Sequence, residues 1–565
     1  TWFDGMKNGV TTEAPAERFS IAETLRGKHI LISGTTGFLG KVAAVLLLDR
    51  HPDIEQLYLL IRGGRGRTAE ERFWEDVAPS PALKPLRDTY TDGFDAFLAD
   101  KVTVVEGDVT RELLGIPAAA RKKLQKNLDL MINSAGLTDF APSLEQAIAV
   151  NTMGPQNCLD FVLTCQDAGL VHVSTTYVTG RRDGVVTESE DPYGFYPKSD
   201  VLHIDFSPER ELADCRDIIS QVKIKADDQE RRALFIRLAR EWAVDNGRNL
   251  EDADVVFGRA EEEKDLWINR QLRDIGTSRA AHWGWNNTYT YAKSLGEQFL
   301  SKRRHEGRVS IVRPAIVESS LRFPFPGWNE GINTCGPLSY LLYKGVRFVP
   351  TQPHVQIDVV PVDFVANCML AAGAASLRGE HEFIYQVGSS DRNPVSVRRA
   401  MELLSLSNRQ FYAKRVSEPR WKNLLMSAME NVPVDKDRYD RFAAPGIKRL
   451  AGGIVGGIKA LGKTGVPAVD GALKGVSSTA RGIEKQAGLV AMIIDLFMPF
   501  IHDSAFVFQA DAMKRLEARL PPEEADWGFP IEGLDWRYYW MDVQMPGMHK
   551  HVFPEIDEKF KTSRK

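Results

Sequence analysis

The chain has 565 residues, of which 43% are hydrophobic and 26% charged, and its formal net charge is −4 at pH 7. A chain of this length is too long for one compact core and predicts about two to four domains. The slight acidic excess argues against nucleic acid as a partner.

The N-terminal residues 1–20 are polar, and we expect them to form a loose tail. Within them, TWFDGMKNGV (1–10) contains no apolar core of a signal peptide. The numbered chain starts without Met, which points to a short missing leader.

The five cysteines are odd in number and widely spaced, and no two form a C-x-x-C pair. This pattern argues against a disulfide framework or a structural zinc site, and it favours a reducing compartment such as the cytoplasm. No other cluster of metal-ligating residues stands out, so we expect no metal.

From residue 29 to about 395, short apolar runs alternate with helical segments. The runs are continuously apolar, as in strands covered on both faces. They are HILISG (29–34), QLYLLIR (56–62), VTVVEGD (102–108), LDLMINSAG (128–136), LVHVSTT (170–176), VSIVRPAIV (309–317) and FIYQVGS (383–389). Strands separated by helices imply β-α-β units. We therefore predict an α/β fold, a Rossmann-like doubly wound parallel sheet, in a domain spanning 21–395.

The stretch ILISGTTGFLGKVAAVLLL (30–48) is typical of a strand, a tight turn and a helix. Gly34 permits the turn, Gly37 lets the backbone approach a pyrophosphate, and Gly40 lets the helix pack close to the strand. The helix N-terminus adds free N–H groups and a positive dipole. This context favours a dinucleotide site over a bare turn. We expect the cofactor to contact the whole turn: Gly34, Thr36, Gly37, Phe38, Leu39 and Gly40.

The end of the second strand decides between NADH and NADPH. Enzymes that use NAD usually carry a carboxylate there, for the ribose 2′-hydroxyl. Here Arg62 ends the strand, and Arg65 and Arg67 follow it. Guanidinium groups bind a 2′-phosphate well, so we predict NADPH, the alternative being that these arginines are solvated loop residues.

The third and fourth strands also end in residues suited to a dinucleotide. Asp108 and the adjacent Val109 follow the third strand, where the aspartate can face the adenine. Ala135 and Gly136 end the fourth strand beside the cofactor.

Between Thr176 and Tyr289 we find no strong strand signal. Much of 207–275 is charged and helical in character, so we predict a helical insert over about 205–280. It is either a solvated decoration or a lid with a direct role in substrate binding.

NNTYTYAKSLGEQ (286–298) predicts a helix capped by Asn287 or Thr288 and running to about Arg303. Positions i and i+4 share a helix face, so Tyr289 and Lys293 point the same way while Tyr291 points into packing. A neighbouring ammonium favours the phenolate and is expected to lower the pKa of Tyr289. Such a tyrosine can give a proton to a carbonyl oxygen as hydride reaches the carbon.

A further hydroxyl donor is expected where the fifth strand ends, in HVSTTYV (172–178). Strand alternation places Ser174 and Thr176 on one face and Thr175 on the other.

The last part of the chain, from about 396 to 565, is predicted to be a mainly helical domain. Its glycine-rich stretch 444–485 has seven basic and two acidic residues. Two interpretations stay open, reversible contact with a membrane surface and a mobile linker over an acidic surface. The apolar stretch 488–508 is interrupted by Asp495, Pro499, His502 and Asp503, and we interpret it as a buried helix with its exit rather than a membrane span.

GTTGFLG (34–40), the Ser/Thr-rich strand end and YTYAK (289–293) resemble the extended short-chain dehydrogenases/reductases. RPAIVESSLRFPFPGWNEG (313–331) and IDVVPVDFVAN (357–367) are similar to the reductase domain of fatty acyl-CoA reductases. The tail, with FMPFIHDSAFVFQADAMKRLEARL (497–520) and DWRYYWMDVQMPGMHKHVF (535–553), resembles the C-terminal domain of the alcohol-forming members.

This resemblance implies roles for individual residues. Thr176, with Thr175 as second choice, takes the Ser/Thr position beside Tyr289 and Lys293, and Lys293 also binds the nicotinamide ribose. Asn151, in AVNTMG, matches a family asparagine near the active site. Pro314 and Ile316 are expected to contact the cofactor.

The implied reaction is the NADPH-dependent reduction of a fatty acyl-CoA to an alcohol through an aldehyde, with an acyl-carrier protein as the alternative thioester. An apolar tunnel with basic residues at its mouth is then expected from the helical insert and the C-terminal domain. Three alternatives stay open: an aldehyde-forming reductase, another extended-family enzyme such as a nucleotide-sugar epimerase or dehydrogenase, and a non-catalytic nucleotide-binding scaffold.

Overall fold

A computed structural model gives the structure of the protein and describes residues 18–64, 66–332, 335–415, 419–461 and 467–562. Most of the expected tail, together with Arg65, lies outside the described residues.

Seven parallel strands form the central sheet, and they coincide with the seven apolar runs of the sequence. They are β1 (His29–Ser33), β2 (Gln56–Ile61), β3 (Val102–Glu106), β4 (Leu130–Asn133), β5 (Gly169–Val173), β6 (Arg308–Pro314) and β7 (Ile384–Val387). Their spatial order is β3-β2-β1-β4-β5-β6-β7. This confirms the doubly wound α/β prediction. The order reverses between β1 and β4, and ligands of such sheets bind at the carboxyl ends of the strands at that point.

Helices cover both faces of the sheet because successive residues of each strand are apolar. Ile30 and Ile32 of β1 pack with the helices Phe38–Arg50 and Val362–Leu377, while Leu31 packs with Gly154–Leu163. The other helices up to residue 377 are Ile21–Leu25, Ala69–Arg72, Lys84–Tyr90, Phe94–Lys101, Ala118–Asn127, Leu144–Ala147, Ser199–Leu202, Pro208–Ala226, Gln229–Asp245, Ala253–Trp283, Thr288–Lys302 and Gly336–Tyr343.

The helical insert consists of the helices Pro208–Ala226, Gln229–Asp245 and Ala253–Trp283. It packs against the outer side of the helix Thr288–Lys302, which carries both tyrosines of the YTYAK motif. Arg279 of the insert pairs with the buried carboxylate of Glu211 at 2.6 Å, and the Tyr291 hydroxyl donates to the same carboxylate.

The C-terminal part is mainly helical. Its helices include Val397–Lys414, Arg420–Ala428, Lys436–Phe442, Ala444–Leu461, Pro467–Ile501, Asp511–Glu517 and Phe553–Thr562. Short strands outside the sheet also pair in parallel: Ile316–Glu318 with Val359–Pro361, Phe348–Pro350 with Val432–Val434, and Gly184–Val186 with Phe506–Phe508. The last pair ties the C-terminal part to the segment that follows β5.

The glycine-rich stretch is helical over its described residues, which the mobile-linker interpretation does not account for. Ala444–Leu461 and Pro467–Ile501 pack side by side, and we call this pair the C-terminal hairpin. In the described part of the chain, no helix is both long enough and apolar enough to cross a membrane.

Candidate active site

A cavity of about 1170 Å³ lies at the carboxyl ends of β1, β2, β4, β5 and β6. The glycine turn lines one end of it, Tyr289 and Lys293 line its middle, and apolar side chains of the C-terminal hairpin line the other end. One continuous space therefore joins the dinucleotide turn to an apolar chamber.

The glycine turn leaves no room for side chains. Gly34 has φ +79°, and a Cβ there would lie 2.6 Å from the backbone carbon of Ser134. A Cβ on Gly40 would lie 2.5 Å from the carbonyl oxygen of Gly34. Gly37 precedes the helix Phe38–Arg50 at its N-terminus. This cradle of bare backbone and helix N–H groups fits the pyrophosphate of a dinucleotide.

Two arginines line the cavity near the ends of β2 and β3. Arg62 lies 3.8 Å from the carboxylate of Asp108 and remains largely exposed. Arg72 donates to the carbonyl oxygen of Arg62 at 2.7 Å, so the two arginines are adjacent. Arg67 does not line the cavity, because Glu75 and Asp76 hold its guanidinium at 2.8 and 3.0 Å. No sequence signal singles out Arg72, which lies in the helix Ala69–Arg72, ten residues after Arg62.

Asn151 positions the loop after β4 rather than lining the cavity. It is fully buried, and its amide exchanges two hydrogen bonds of 2.9 Å with the backbone of Leu137. Gly136 in the same loop lies against Lys293, whose Nζ would be 3.1 Å from a Cβ at that position. Asn151 therefore contacts the cavity through the backbone of this loop, and its catalytic role stays a proposal.

Tyr289 and Thr175 meet at the centre of the cavity. Burial raises the pKa of Tyr289, and a hydrogen bond with the Thr175 side chain opposes that shift. The expected lowering by Lys293 is not found, because the ammonium is turned toward the end of β5. The phenol therefore keeps its proton at neutral pH, as a proton donor requires.

Thr176 does not line the cavity, contrary to our first choice between the two threonines. Strand β5 ends at Val173, and Thr176 begins a short 3-10 helix, Thr176–Thr179. The alternation of a strand therefore does not extend to these residues. Ser174 and Thr175 line the cavity instead, and the buried Ser174 Oγ has no hydrogen-bond partner in the described structure.

Lys293 is held in place by strand β5. Its Nζ donates to the carbonyl oxygen of Val173 at 2.8 Å. Burial lowers the pKa of Lys293 to about 8, although the carboxylate of Glu297 opposes the shift. The side chain thus carries most of its charge at neutral pH and loses it at moderately alkaline pH.

Tyr291 is fully buried and points away from the cavity, as expected from the helix geometry. Its hydroxyl contacts Glu211 and lies 3.2 Å from Cys215 Sγ, both in the insert. The insert thus packs against the side of the helix Thr288–Lys302 that faces away from the cavity. Among the described residues, none between 205 and 280 lines the cavity, so the expectation that the insert supplies part of the tunnel is not met.

The apolar end of the cavity is built by aromatic and aliphatic side chains. Phe140 lies between Tyr289, at 6.4 Å between ring centroids, and Phe500, at 5.7 Å. Tyr177 meets Phe500 edge-on at 4.7 Å. The hairpin residues in this wall are Leu489, Met492, Ile493, Leu496, Phe497 and Phe500. Phe497 and Phe500 lie in the tail segment 497–520 that carries the family resemblance, whereas no quoted motif includes the other four.

The structure brings together every expected cofactor residue that it describes. They line the cavity: Gly34, Thr36, Gly37, Phe38, Leu39, Gly40, Arg62, Asp108, Val109, Ala135, Gly136, Tyr289, Lys293, Pro314 and Ile316. Arg65 lies outside the described residues. Their roles in binding remain proposals.

The sheet order, the glycine turn and the Tyr289–Lys293 pair define a class, the extended short-chain dehydrogenases/reductases. Enzymes of this class bind a nicotinamide dinucleotide. A family model described as male sterility protein matches residues 32–369. The chain belongs to the fatty acyl-CoA reductases of this extended class.

Named relatives agree with this assignment. "Fatty acyl-CoA reductase 2, chloroplastic" of Arabidopsis thaliana is 27% identical, over 96% of this chain and 83% of that protein. "Probable fatty acyl-CoA reductase 5" of the same plant is 32% identical, over 66% and 68%. "Alcohol-forming fatty acyl-CoA reductase" of Simmondsia chinensis is 30% identical, over 68% and 72%.

Among solved structures, the terminal R domain from the myxalamid PKS-NRPS biosynthetic pathway resembles the chain with a TM-score of 0.50. The match covers 94% of this chain and 92% of that one at 17% identity. At this identity the likeness concerns the fold alone.

Proposed function

We propose that the protein reduces long-chain fatty acyl-CoA to fatty alcohol, through the aldehyde, with NADPH as reductant. The observation that carries this proposal is the single cavity, in which Tyr289 and Thr175 stand between a dinucleotide turn and an apolar chamber. A nucleotide sugar has no use for a chamber walled by Phe497 and Phe500. A non-catalytic scaffold has no use for a buried proton donor.

In the first step the thioester carbonyl lies beside Tyr289. The bound cofactor supplies hydride to the carbonyl carbon. The hydroxyls of Thr175 and Ser174 stabilise the negative charge that develops on the carbonyl oxygen, and Tyr289 gives that oxygen its proton. The hemithioacetal then returns its hydroxyl proton to the Tyr289 phenolate, the C–S bond breaks, and CoA leaves as a thiolate that takes a proton from water, while an aldehyde remains.

Lys293 contributes a positive charge close to Tyr289. The Val173 carbonyl fixes its ammonium in the cavity wall, where a positive charge favours the developing oxyanion and can hold a ribose hydroxyl. The same group can favour reprotonation of Tyr289 between turnovers.

The second step uses the same residues. An aldehyde retained in the apolar chamber presents its carbonyl to Tyr289 and Thr175. A second bound NADPH would supply the hydride, and Tyr289 gives the oxygen the proton that completes the alcohol. The two-step reaction consumes two NADPH and two protons per thioester and releases one CoA. The relative named as alcohol-forming supports this order of events.

The preference for NADPH is supported by Arg62 and Arg72, which are positive and adjacent at the end of β2. The names of the relatives support a CoA thioester as substrate. An acyl-carrier protein would present the same thioester, and the assay below separates the two.

The test measures NADPH consumed per palmitoyl-CoA, with the products identified by chromatography. We expect hexadecanol, two NADPH per CoA released, and consumption of added hexadecanal. Palmitoyl-CoA and palmitoyl-acyl-carrier protein are compared at equal concentration, and CoA is expected to give the higher kcat/KM. Stoichiometric accumulation of hexadecanal that is not consumed would replace the proposal by an aldehyde-forming reductase.

A further inference from the structure

The C-terminal hairpin exposes large apolar side chains that no other described part of the protein covers. Leu450 is 72% exposed, Ile454 50% and Ile447 44%. On the second helix of the hairpin, Val476 is 52% and Ile483 46% exposed. Scattered single apolar residues need no explanation, but a concentration on one element marks an interaction surface.

The packing of the hairpin places these side chains on one side. Residues 447, 450 and 454 follow helical spacing, as do 476 and 483. A Cβ on Gly452 would lie 3.1 Å from the carboxylate of Glu484, and one on Gly488 would lie 3.6 Å from Lys448. These contacts fix an antiparallel register in which Ile454 lies beside Ile483. The two apolar stripes therefore form one continuous strip.

The net charge of the hairpin is positive. Its described part carries six basic side chains: Lys448, Arg449, Lys459, Lys474, Arg481 and Lys485. Against them stand three acidic ones, Asp470, Glu484 and Asp495, so the described hairpin has a net charge of +3. An apolar strip flanked by cations matches the boundary between headgroups and acyl chains of an anionic bilayer.

The same hairpin also reaches the cavity. Met492 and Leu496 line the cavity and are 54% and 39% exposed. The apolar end of the cavity therefore reaches the protein surface at this helix. Ile483 and Leu489, which lines the cavity, are six residues apart, about 9 Å along the axis.

We propose that the C-terminal hairpin docks in the surface of an anionic lipid bilayer and that long acyl chains pass between that bilayer and the cavity. Docking rests on the strip and its charge alone. The passage of acyl chains rests, in addition, on the proposed function. A product that is insoluble in water then leaves the enzyme next to the lipid that dissolves it.

The first test is flotation of the full chain with vesicles of phosphatidylcholine plus phosphatidylglycerol, and with phosphatidylcholine alone. We expect the protein to float with the anionic vesicles and to be released by high salt. Leu450→Glu with Ile454→Glu should reduce the bound fraction at least tenfold. The matched control, Ile224→Glu with Leu266→Glu, changes two exposed apolar residues of the insert and should float like wild type.

Further measurements keep docking separate from folding, self-association and catalysis. Turnover of palmitoyl-CoA without vesicles should be unchanged in the hairpin variant, which shows that its fold is intact. Lys448→Glu with Lys459→Glu should also lose flotation while leaving the apolar strip in place.

Wild type that stays unbound at low salt overturns docking and leaves the reductase proposal standing. A dimer in lipid-free buffer that Leu450→Glu dissociates would assign the strip to a second copy of the chain instead.

The second test concerns passage of acyl chains. Hexadecanal dissolved in anionic vesicles should be reduced faster by wild type than by the Leu450→Glu, Ile454→Glu variant, while both reduce octanal in solution equally. Equal rates of both proteins on vesicle-bound hexadecanal would overturn the passage while leaving docking intact.

Discussion

The two ends of the cavity are built from different materials. At the dinucleotide end, the backbone forms the site, through glycines whose missing Cβ atoms leave bare backbone and through a helix N-terminus. At the apolar end, side chains form the wall of the cavity, and they come from a helix roughly 450 residues after the glycine turn. Tyr289 and Thr175 stand at the junction.

This difference predicts how each end responds to mutation. Backbone geometry tolerates almost no change, because a new Cβ meets atoms that cannot move. A wall of apolar side chains tolerates exchange and changes its shape instead. Substitutions at the junction should therefore lower kcat. Substitutions at the dinucleotide end should change the preference between NADPH and NADH, and those at the apolar end should change the preference for acyl-chain length.

The largest effect is expected at the junction, from Tyr289→Phe. Losing the proton donor should lower kcat by about a thousandfold, within the usual range for general acid catalysis. The ring and its contact with Phe140 remain, so NADPH binding measured by fluorescence should be unchanged. Both acyl-CoA and aldehyde reduction should be lost together.

Tyr291→Phe is the matched control for this experiment. It removes one buried hydroxyl that contacts Glu211, whose ion pair with Arg279 remains. We expect turnover within twofold of wild type and a loss of about 1 kcal/mol in the free energy of unfolding. Comparable activity of the two variants would remove Tyr289 from the mechanism.

The sequence was sufficient where the signals are local. The seven strands and the glycine turn follow from apolar runs and from glycine spacing within single segments. At Thr176 the family resemblance favoured a residue that does not line the cavity, because β5 ends at Val173 and Thr176 lies in the short 3-10 helix that follows. The sequence pointed to the C-terminal domain as one source of the tunnel, but it singled out neither Arg72 nor the wall from 489 to 500, because tertiary packing alone brings these side chains to the cavity.

The next effect tests the dinucleotide end. Arg62→Gln with Arg72→Gln removes two guanidinium groups. Since each contact with a 2′-phosphate contributes about 1 kcal/mol of binding free energy, KM for NADPH should rise about thirtyfold. KM for NADH should hardly change, because NADH has no 2′-phosphate. The measurement is the ratio of kcat/KM for the two cofactors.

Arg67→Gln is the control, since Glu75 and Asp76 already occupy that guanidinium. It should leave the ratio unaltered. If the double variant also leaves the ratio unaltered, Arg62 and Arg72 do not bind the 2′-phosphate.

A smaller effect should appear in the pH profile. Burial lowers the pKa of Lys293 to about 8, and burial keeps Tyr289 protonated throughout this range. Above pH 8 the ammonium is lost, so kcat/KM should fall about tenfold between pH 7 and 9. Lys293→Met should be slow at every pH and should lack this decline. A wild-type profile that stays flat to pH 10 would exclude the ammonium from the reaction.

The free energy of unfolding should also depend on the titration of Lys293, but it should rise with pH where kcat/KM falls. The folded-state pKa of Lys293 lies below that of the unfolded chain, so between pH 8 and the ordinary lysine value of 10.5 the unfolded state binds more protons. The contribution of Lys293 to the free energy of unfolding should therefore rise with pH across this window. Chemical denaturation of wild type and Lys293→Met at pH 8 and 10 measures it.

The smallest effect tests the apolar end, with Ile493→Trp. Ile493 lines the cavity beside Phe497, and the larger indole should shorten the space for the acyl chain. Each excluded methylene loses about 0.8 kcal/mol of burial, which is about a fourfold loss in kcat/KM. Acyl-CoA of eight carbons, which does not reach the indole, should keep its rate, while palmitoyl-CoA loses rate. Ile483→Trp places the same indole on the same helix outside the cavity and should alter neither substrate. If Ile493→Trp slowed both acyl chains equally, the apolar chamber would not measure chain length, and the distinction between a fixed dinucleotide end and an adaptable apolar end would fail.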